Sequence, residues 1–289
     1  MDRQNSGELN RRTLMKSAAV GATLSAALGG ATELLTASPA EAADKKALAD
    51  AGVATETVSF KSGSDTIQGF LARPKAAGKY GTVLLIPGIF GVDAYTKETT
   101  AQLAQAGLVG LALDFYSRKG GAPQTQDFNV LRTFVAENAP DKQIIADGLA
   151  AIEYLKKHPS SNGKFGVTGF CMGGRITLLI AESSPDILAA SPYYGPVRAA
   201  GPTNISPFDN ITKLKAAVQG HYGALDMNPK PEDVEAFYAE LKKTNPHGEF
   251  FIYEGAGHAF HTFDRAGAYK EEAATQAWDR TLAFFRKHL

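Results

Sequence analysis

The chain has 289 residues, of which 44 % are hydrophobic, and its 30 basic residues are balanced by 30 acidic ones. This composition is typical of an ordinary globular protein, and a formal net charge of zero gives no overall attraction to nucleic acid or to an anionic membrane. The single cysteine excludes an intramolecular disulfide framework and any zinc or iron–sulfur site built from several cysteines.

The first 42 residues have the pattern of an export signal. A basic stretch with the pair Arg11-Arg12 precedes an uncharged run at 17–32, and an Ala-x-Ala site lies at 40–42. This order is typical of a secretory signal peptide, and the paired arginines resemble the twin-arginine export signal of bacteria. We therefore expect the precursor to meet the twin-arginine machinery, and the mature protein to be periplasmic or secreted without stable membrane association. The alternative is an uncleaved anchor, although the uncharged run is shorter than the ~18 residues of a membrane span.

Beyond the signal, strand-like runs alternate with helical patterns. Residues 57–73 predict two strands around a turn at 62–65. The continuous apolar runs 82–87 and 107–115 are expected of strands buried on both faces, and the segment 117–129 is predicted to be a loop. Further strands are predicted at 164–170, 189–195, 213–223 and 249–255. Helices are predicted at 94–106, within 141–159, and at 172–183, 231–244 and 270–288.

Strands that alternate with helices predict an α/β fold with a mostly parallel central sheet and helices on both faces. No repeat, internal linker or low-complexity tract interrupts this pattern. We therefore expect residues 43–289 to form a single domain.

The cysteine lies in the segment Gly169-Phe170-Cys171-Met172-Gly173, between a predicted strand and a predicted helix. This is the G-x-nucleophile-x-G pattern of the nucleophile elbow in α/β hydrolases, with cysteine in place of serine. The glycines are needed because side chains two residues to either side would collide in so tight a turn. The helix N-terminus favours a thiolate through its dipole and free N–H groups. The alternative is a cysteine that acts only as a small buried hydrophobic residue.

In this fold the nucleophile, the acid and the base follow one another along the chain. Asp226 comes directly after the predicted strand 213–223, and His258 lies in the loop after the last predicted strand. His258 is therefore predicted to be the base that activates Cys171. Asp226 is predicted to orient the imidazole and to stabilise its charged form.

Other residues are alternatives for these positions. Glu254 and Asp264 are rival acids, and Asp226 has the alternative role of a helix cap or turn residue. His221 and His261 are expected near the pocket, but neither occupies the position of the base. His258 and His261 loosely suggest a metal pair, but no third ligand lies at a recognisable spacing, so we predict no metal.

Acyl transfer also requires two backbone N–H groups to stabilise the oxyanion. One is expected from Met172, which follows the nucleophile. The other is expected from the loop after the strand 82–87, where Ile89 is the candidate.

Several motifs together resemble the dienelactone hydrolase (carboxymethylenebutenolidase) family, and the likeness spans about residues 56–288. They are GFCMGG, HYGALD, YEGAGHAF, IFGV after a buried strand, DFYSR after the next strand and the opening pattern TIQGFLARP. The resemblance implies an α/β-hydrolase fold, a triad of Cys171, His258 and Asp226, and no cofactor. It also implies ring opening of an unsaturated lactone through a thioester on Cys171, with the oxyanion held by the N–H groups of Met172 and Ile89.

Two positions depart from the best-known members of that family. Those members have a glutamate immediately before the Ile-Phe-Gly triplet, where it contacts the resting thiol, and this chain has Gly88. They also have an arginine four residues after the catalytic histidine, where it binds the substrate carboxylate. This chain has Thr262 there, with Arg265 three residues further on. The resemblance therefore does not fix the substrate.

Side chains close to these motifs are expected to contact the substrate. Phe90 follows the oxyanion candidate, and Phe260 follows the predicted base by two residues. Arg118 and Arg175 are candidate anion contacts, although Arg175 has the alternative of facing outward from its helix.

The leading functional hypothesis is a secreted thiol hydrolase that acts on a lactone or a small carboxylic ester. The alternative from another class is a non-catalytic periplasmic ligand-binding protein on the same fold. A redox-active thiol protein is disfavoured because the chain has no second, resolving cysteine.

Overall fold

An eight-stranded sheet forms the framework of the protein in the computed structural model. Its strands are β1 (Val53–Ser62), β2 (Asp65–Pro74), β3 (Tyr80–Ile86), β4 (Val109–Asp114), β5 (Ser161–Phe170), β6 (Ile187–Tyr193), β7 (Ala217–Gly223) and β8 (Gly248–Tyr253). The strand order is β1-β2-β4-β3-β5-β6-β7-β8. Both pairings of β2 are antiparallel, and every pairing from β4 through β3 to β8 is parallel. The predicted mostly parallel α/β fold is confirmed.

The structure describes residues 51–199 and 204–289, together with Leu48. The predicted signal peptide and its cleavage site lie outside these residues. Val53–Leu289 forms one compact unit, which contains the whole sheet.

Six α-helices accompany the sheet within the described residues. They are α1 (Ala94–Gln105), α2 (Phe128–Asn138), α3 (Asp141–Lys156), α4 (Met172–Ser183), α5 (Pro231–Leu241) and α6 (Glu271–His288). Short 3-10 helices occupy Ser117–Lys119 and Pro207–Lys213. In the described part of the chain, no helix has both the length and the apolar character that a membrane crossing requires.

The alternating side chains of β3 show how the sheet divides the core into two. Val83 and Leu85 belong to one cluster of buried residues, whereas Leu84 and Ile86 belong to the other, and all four are fully buried. Successive side chains of a strand point to opposite faces, so a strand covered on both faces is apolar throughout. This is the physical reason why the run 82–87 predicts a buried strand.

Two sequence predictions were wrong in detail. The segment 117–129 is not a continuous loop, because it begins with a 3-10 turn and ends in the first residues of α2. The strand predicted at 213–223 begins only at Ala217, since a 3-10 helix extends to Lys213. Asp127 caps the N-terminus of α2, and its side chain accepts a hydrogen bond of 2.8 Å from the N–H of Asn129.

The parallel strands bring several connecting loops to one edge of the sheet. Because β3, β5, β6, β7 and β8 run in one direction, their carboxyl ends meet at this edge. In open α/β sheets, ligands bind outside the carboxyl ends of the strands. The candidate nucleophile, acid and base all follow such strand ends.

Candidate active site

Cys171 lies at a strained turn between β5 and α4. Its φ of 58° and ψ of −120° place it in the left-handed half of conformational space, which non-glycine residues rarely adopt. A Cβ on Gly169 would stand 2.5 Å from the carbonyl oxygen of Gly173, and one on Gly173 would stand 2.2 Å from the carbonyl oxygen of Ile86. Both glycines of the elbow are therefore required by close backbone packing.

The structure places Asp226 against His258. The Oδ2 atom of Asp226 lies 2.9 Å from Nδ1 of His258, and its Oδ1 atom accepts a 2.8 Å hydrogen bond from the N–H of Asn228. The Asp226 side chain is 1 % exposed, whereas that of His258 is 36 % exposed. The rival acids Glu254 and Asp264 are both exposed. Among the three carboxylates, Asp226 is thus the one that the fold aims at the imidazole.

The pKa values of Cys171 and His258 shift in opposite directions. Burial raises the pKa of the Cys171 thiol, but the hydrogen bond and charge of His258, the N–H of Met172 and the charge of Arg265 outweigh it, and the pKa falls below 9.0. Burial lowers the pKa of His258, but the hydrogen bonds and charges of Asp226 and Cys171 raise it to about 10. The imidazole therefore holds its proton more tightly than the thiol does. This favours a thiolate–imidazolium pair at neutral pH.

Ile89 and Met172, the two oxyanion candidates, line one cleft together with Cys171. Met172 is the first residue of α4, and its N–H helps to lower the pKa of the Cys171 thiol. The carbonyl oxygen of Ile89 accepts a 2.9 Å hydrogen bond from the hydroxyl of the buried Tyr116. This bond fixes the orientation of the Ile89–Phe90 peptide in the loop after β3.

The cleft at Cys171 has a volume of about 820 Å³. Most of its lining is apolar, and α2 supplies part of one wall. The apolar lining residues are Ile89, Phe90, Tyr95, Phe128, Val135, Ala136, Ala139, Pro140, Phe170, Met172, Tyr194, Pro196, Leu225, Met227 and Ala259.

Of the residues predicted to contact a substrate, Phe90 and Arg175 line the cleft, whereas Arg118 and Phe260 do not. Arg118 does not line it, because its guanidinium is held by both carboxylate oxygens of Asp147 at 2.6 and 2.9 Å and by Asp65 at 2.5 Å. Phe260 is fully buried in the core, where its ring packs against Tyr253 and does not reach the cleft. The expectations for Arg118 and Phe260 are corrected by this geometry.

Three arginines line the cleft: Arg132 on α2, Arg175 and Arg265. Arg175 lines it, but its guanidinium is buried against the carboxylate of Asp141 and does not face outward from its helix. Arg265 stands over the ring of Phe90, with its guanidinium carbon 4.0 Å from the ring centroid, and is 5.6 Å from that of Phe128. The sequence around Arg265 does not indicate this placement, because nothing local shows that the loop after β8 folds back to the loop after β3.

His221 and His261 lie behind the cleft, in the core. His221 bonds to the hydroxyl of Tyr253 at 2.9 Å, and burial lowers its pKa well below 6.5. His261 bonds to the hydroxyl of Tyr95 at 2.7 Å, and burial lowers its pKa to about 3. Neither lines the cleft. Across the described residues, no group of three or more His, Cys, Asp or Glu side chains is arranged to hold a metal ion.

Gly88 lies beside the candidate nucleophile with space around it. A Cβ at this position would stand 3.5 Å from the carbonyl oxygen of Phe170 and 3.8 Å from Cβ of Cys171, both ordinary contacts. A Cβ at residue 88 would therefore fit, next to the side chain of Cys171.

Comparison with known proteins identifies close relatives of the chain. The family model described as "Dienelactone hydrolase family" matches residues 67–289. A Salmonella typhimurium protein named as a carboxymethylenebutenolidase is 33 % identical over 83 % of this chain and 89 % of its own length. A Bradyrhizobium protein named as a 2-oxo-3-(5-oxofuran-2-ylidene)propanoate lactonase is 31 % identical over 82 % and 96 %. The crystal structure of a Klebsiella pneumoniae protein, named as a dienelactone hydrolase, superposes with a TM-score of 0.77 at 32 % identity, covering 82 % of this chain and 99 % of that one.

Proposed function

This chain belongs to the dienelactone hydrolase family, and we propose that it is a thiol hydrolase that opens a lactone or cleaves a small carboxylic ester through an acyl intermediate on Cys171. Its relatives support the coarser statement that it is a lactone or ester hydrolase. The proposal adds the nucleophile, the triad and the covalent step.

The first half-reaction forms a thioester. The Cys171 thiolate attacks the carbonyl carbon, and the negative charge passes to the carbonyl oxygen, where the N–H groups of Met172 and Ile89 stabilise it. When the intermediate collapses, the carbon–oxygen bond of the ester breaks. His258 gives its proton to the departing alkoxide, and Asp226 stabilises the imidazolium until that transfer.

The second half-reaction returns the thiolate. His258, now neutral, takes a proton from a water molecule, and the resulting hydroxide attacks the thioester carbon. Collapse of this intermediate breaks the carbon–sulfur bond and releases a carboxylic acid. With a lactone, acid and alcohol remain on one product molecule, whereas an ester gives two products.

One observation carries the proposal. It is the chain of contacts from buried Asp226 through His258 to Cys171, which lines the cleft at an elbow with φ of 58°. Such a strained backbone at a polar site is typical of functional positions. The opposite pKa shifts of the cysteine and the histidine add to this support, because a nucleophile must be deprotonated while its partner holds the proton.

The test is turnover and trapping with the purified mature protein. A panel of lactones and acyl esters is measured for wild type and Cys171→Ala, and the acyl-Cys171 species is sought by mass spectrometry after rapid acid quench. We expect an adduct of acyl mass on Cys171 and loss of turnover in the variant. Leu188→Ser, at an exposed position away from the cleft, serves as the matched surface control. Unchanged turnover in Cys171→Ala contradicts the proposal. Tight binding without turnover in wild type favours the non-catalytic alternative.

We also propose that residues 1–42 direct export through the twin-arginine route and that the mature protein is periplasmic or secreted. The proposal rests on the Arg11-Arg12 pair and on the order of basic, uncharged and small-residue stretches. Replacing both arginines by lysine keeps the charge and removes the paired guanidinium groups that the route reads. We expect the double variant to stay in the cytoplasm with its leader attached, as fractionation and immunoblotting would detect. Normal periplasmic appearance of the double variant would disprove the twin-arginine assignment.

A further inference from the structure

Large apolar side chains stand uncovered at the mouth of the cleft. The most exposed large hydrophobic residues of the described chain are Leu225, at 65 % exposure, and Met227, at 76 %. Both line the cleft, and they flank Asp226 on either side. Scattered single exposed hydrophobic residues are normal, but an apolar pair at the rim of a cavity is typical of a ligand-binding surface.

The fold fixes this pair in place without needing its apolar character. The N–H of Leu225 donates a 2.8 Å hydrogen bond to the carbonyl oxygen of Ala256, and the N–H of Asp226 donates one of 3.2 Å to that of Gly223. With Asp226 turned inward to His258, its two neighbours face outward. Polar side chains at residues 225 and 227 would allow the same backbone hydrogen bonds and would expose less apolar surface to solvent. The apolar residues therefore call for an explanation outside the stability of the fold.

Leu225 belongs to the histidine side of the cleft. Its backbone pairs with Ala256, two residues before His258, and its carbonyl oxygen is 3.8 Å from the position of a Cβ on Gly257. In the proposed reaction His258 protonates the leaving oxygen, so side chains beside it face the alcohol portion of the substrate.

The size of the cleft agrees with a substrate that extends past the reacting group. Pockets for drug-sized ligands measure about 300–1,000 Å³, and this one measures about 820 Å³. A small unsubstituted lactone would fill only part of that volume and would leave the rim unused.

We propose that Leu225 and Met227 form an apolar subsite for the alcohol portion of the substrate, which carries an alkyl or aryl group. For a lactone, that group is a substituent on the ring carbon bonded to the ester oxygen. The inference rests on the proposed function and names the substrate class on the leaving-group side of the same site.

The experiment uses a series of acetate esters that share the acyl group and differ in the alcohol, from methyl through butyl to hexyl. Full burial of one methylene strengthens binding about fourfold. A rim that covers only one side of the alkyl chain is expected to raise kcat/KM about twofold per methylene. Wild type should therefore favour hexyl over methyl acetate by about 30-fold. In the double variant Leu225→Ser, Met227→Ser, that ratio should fall to about fivefold or less. Leu188→Ser is the control, since Leu188 is exposed and does not line the cleft.

A second series of methyl esters, with acyl chains from acetyl to hexanoyl, tests which side of the substrate the subsite binds. The double variant should leave the slope of this series at its wild-type value.

A flat alcohol series in wild type, or the same alcohol slope in wild type and double variant, overturns the subsite while the proposed hydrolase remains. Loss of the acyl slope instead overturns its assignment to the leaving group. Absence of turnover for every ester in wild type refutes the proposed function and the subsite together. Sedimentation velocity of wild type and double variant is the last measurement. A dimeric wild type and a monomeric double variant with the same ester selectivity would show that Leu225 and Met227 join two copies of the chain, and would overturn the subsite.

Discussion

The loop after β8 carries two histidines three residues apart in opposite electrostatic surroundings. His258 faces the cleft, bonds to the carboxylate of Asp226 and neighbours Cys171, and its pKa is raised to about 10. His261 faces the core, bonds to the neutral hydroxyl of Tyr95, and its pKa is lowered to about 3. Burial acts in the same direction on both rings. The carboxylate of Asp226 and the thiolate of Cys171, both next to His258, cause the difference between the two pKa values.

The comparison shows how a single loop supplies both a charged and a neutral imidazole. The chain turns at Ala259, which has φ of 63°, and the side chains that follow point toward the core. Phe260 and His261 then join an aromatic cluster in which the His261 ring stacks 5.2 Å from that of Phe170. A histidine close in sequence to the candidate base, such as His261, therefore need not share its location or its charge.

The largest expected effect comes from removing the cleft histidine. His258→Ala should lower turnover by about a hundredfold or more, because general-base activation of a nucleophile typically supplies at least that factor. His261→Gln and His221→Gln should lose much less per folded molecule, since both rings lie behind the cleft. Steady-state kinetics, corrected for the folded fraction by circular dichroism, would measure the difference. Similar losses in all three variants would mean that the base is wrongly identified.

The second effect concerns stability in acid. The folded-state pKa of His261 lies below the unfolded value near 6.5, so the unfolded chain binds an extra proton between about pH 3 and 6.5. The free energy of unfolding should therefore fall as the pH drops below 6.5, by up to about 1.4 kcal/mol per pH unit for this residue. His261→Gln, which still offers the Tyr95 hydroxyl a partner, should reduce that slope between pH 4 and 6. His258 has the opposite sign, because its contribution is complete below pH 6.5 and is lost as the pH rises toward about 10.

Urea unfolding at a series of pH values would measure both slopes. His221 also has a lowered pKa and should leave part of the acid sensitivity in place after His261→Gln. An unchanged slope in His261→Gln would contradict the assignment of a neutral buried imidazole at this position.

Local patterns predicted the features that depend on nearby residues. A strand buried on both faces must be apolar throughout, so the run 82–87 is sufficient to identify β3. The elbow is equally local, because Gly169 and Gly173 lie within two residues of Cys171 and must avoid close backbone atoms. Helix α2 was missed because Leu131 is its only fully buried residue, so its apolar periodicity is weak.

Features that depend on distant residues could not be predicted. Arg118 is held by Asp147, which is 29 residues away in the chain, and by Asp65, which is 53 residues away. Arg265 enters the cleft through its contact with the ring of Phe90. In both cases a single arginine in the sequence gives no information about which partner the fold will supply. The same limitation applies to Phe260, whose orientation depends on the turn that precedes it.

The smallest expected effect tests whether nearby charge sets the state of the cysteine–histidine pair. Gly88→Glu places a carboxylate beside Cys171, where like-charge repulsion disfavours the thiolate and raises its pKa. Gly88→Gln has the same shape without the charge, and the distances of 3.5 and 3.8 Å show that a Cβ is accommodated at this position in both variants. In wild type we expect Cys171 to react with iodoacetamide at neutral pH without substrate, since its pKa is already lowered by His258. At pH values below the pKa of the thiol, the Glu variant should react on the order of three- to tenfold more slowly, which corresponds to a rise of about half to one pKa unit, and the Gln variant should stay close to wild type. A pH series of alkylation rates for the three proteins measures the shift directly.

Equal slowing in both variants would identify steric shielding as the cause, and unchanged or faster alkylation in the Glu variant would show that the thiolate is not controlled by its neighbouring charges.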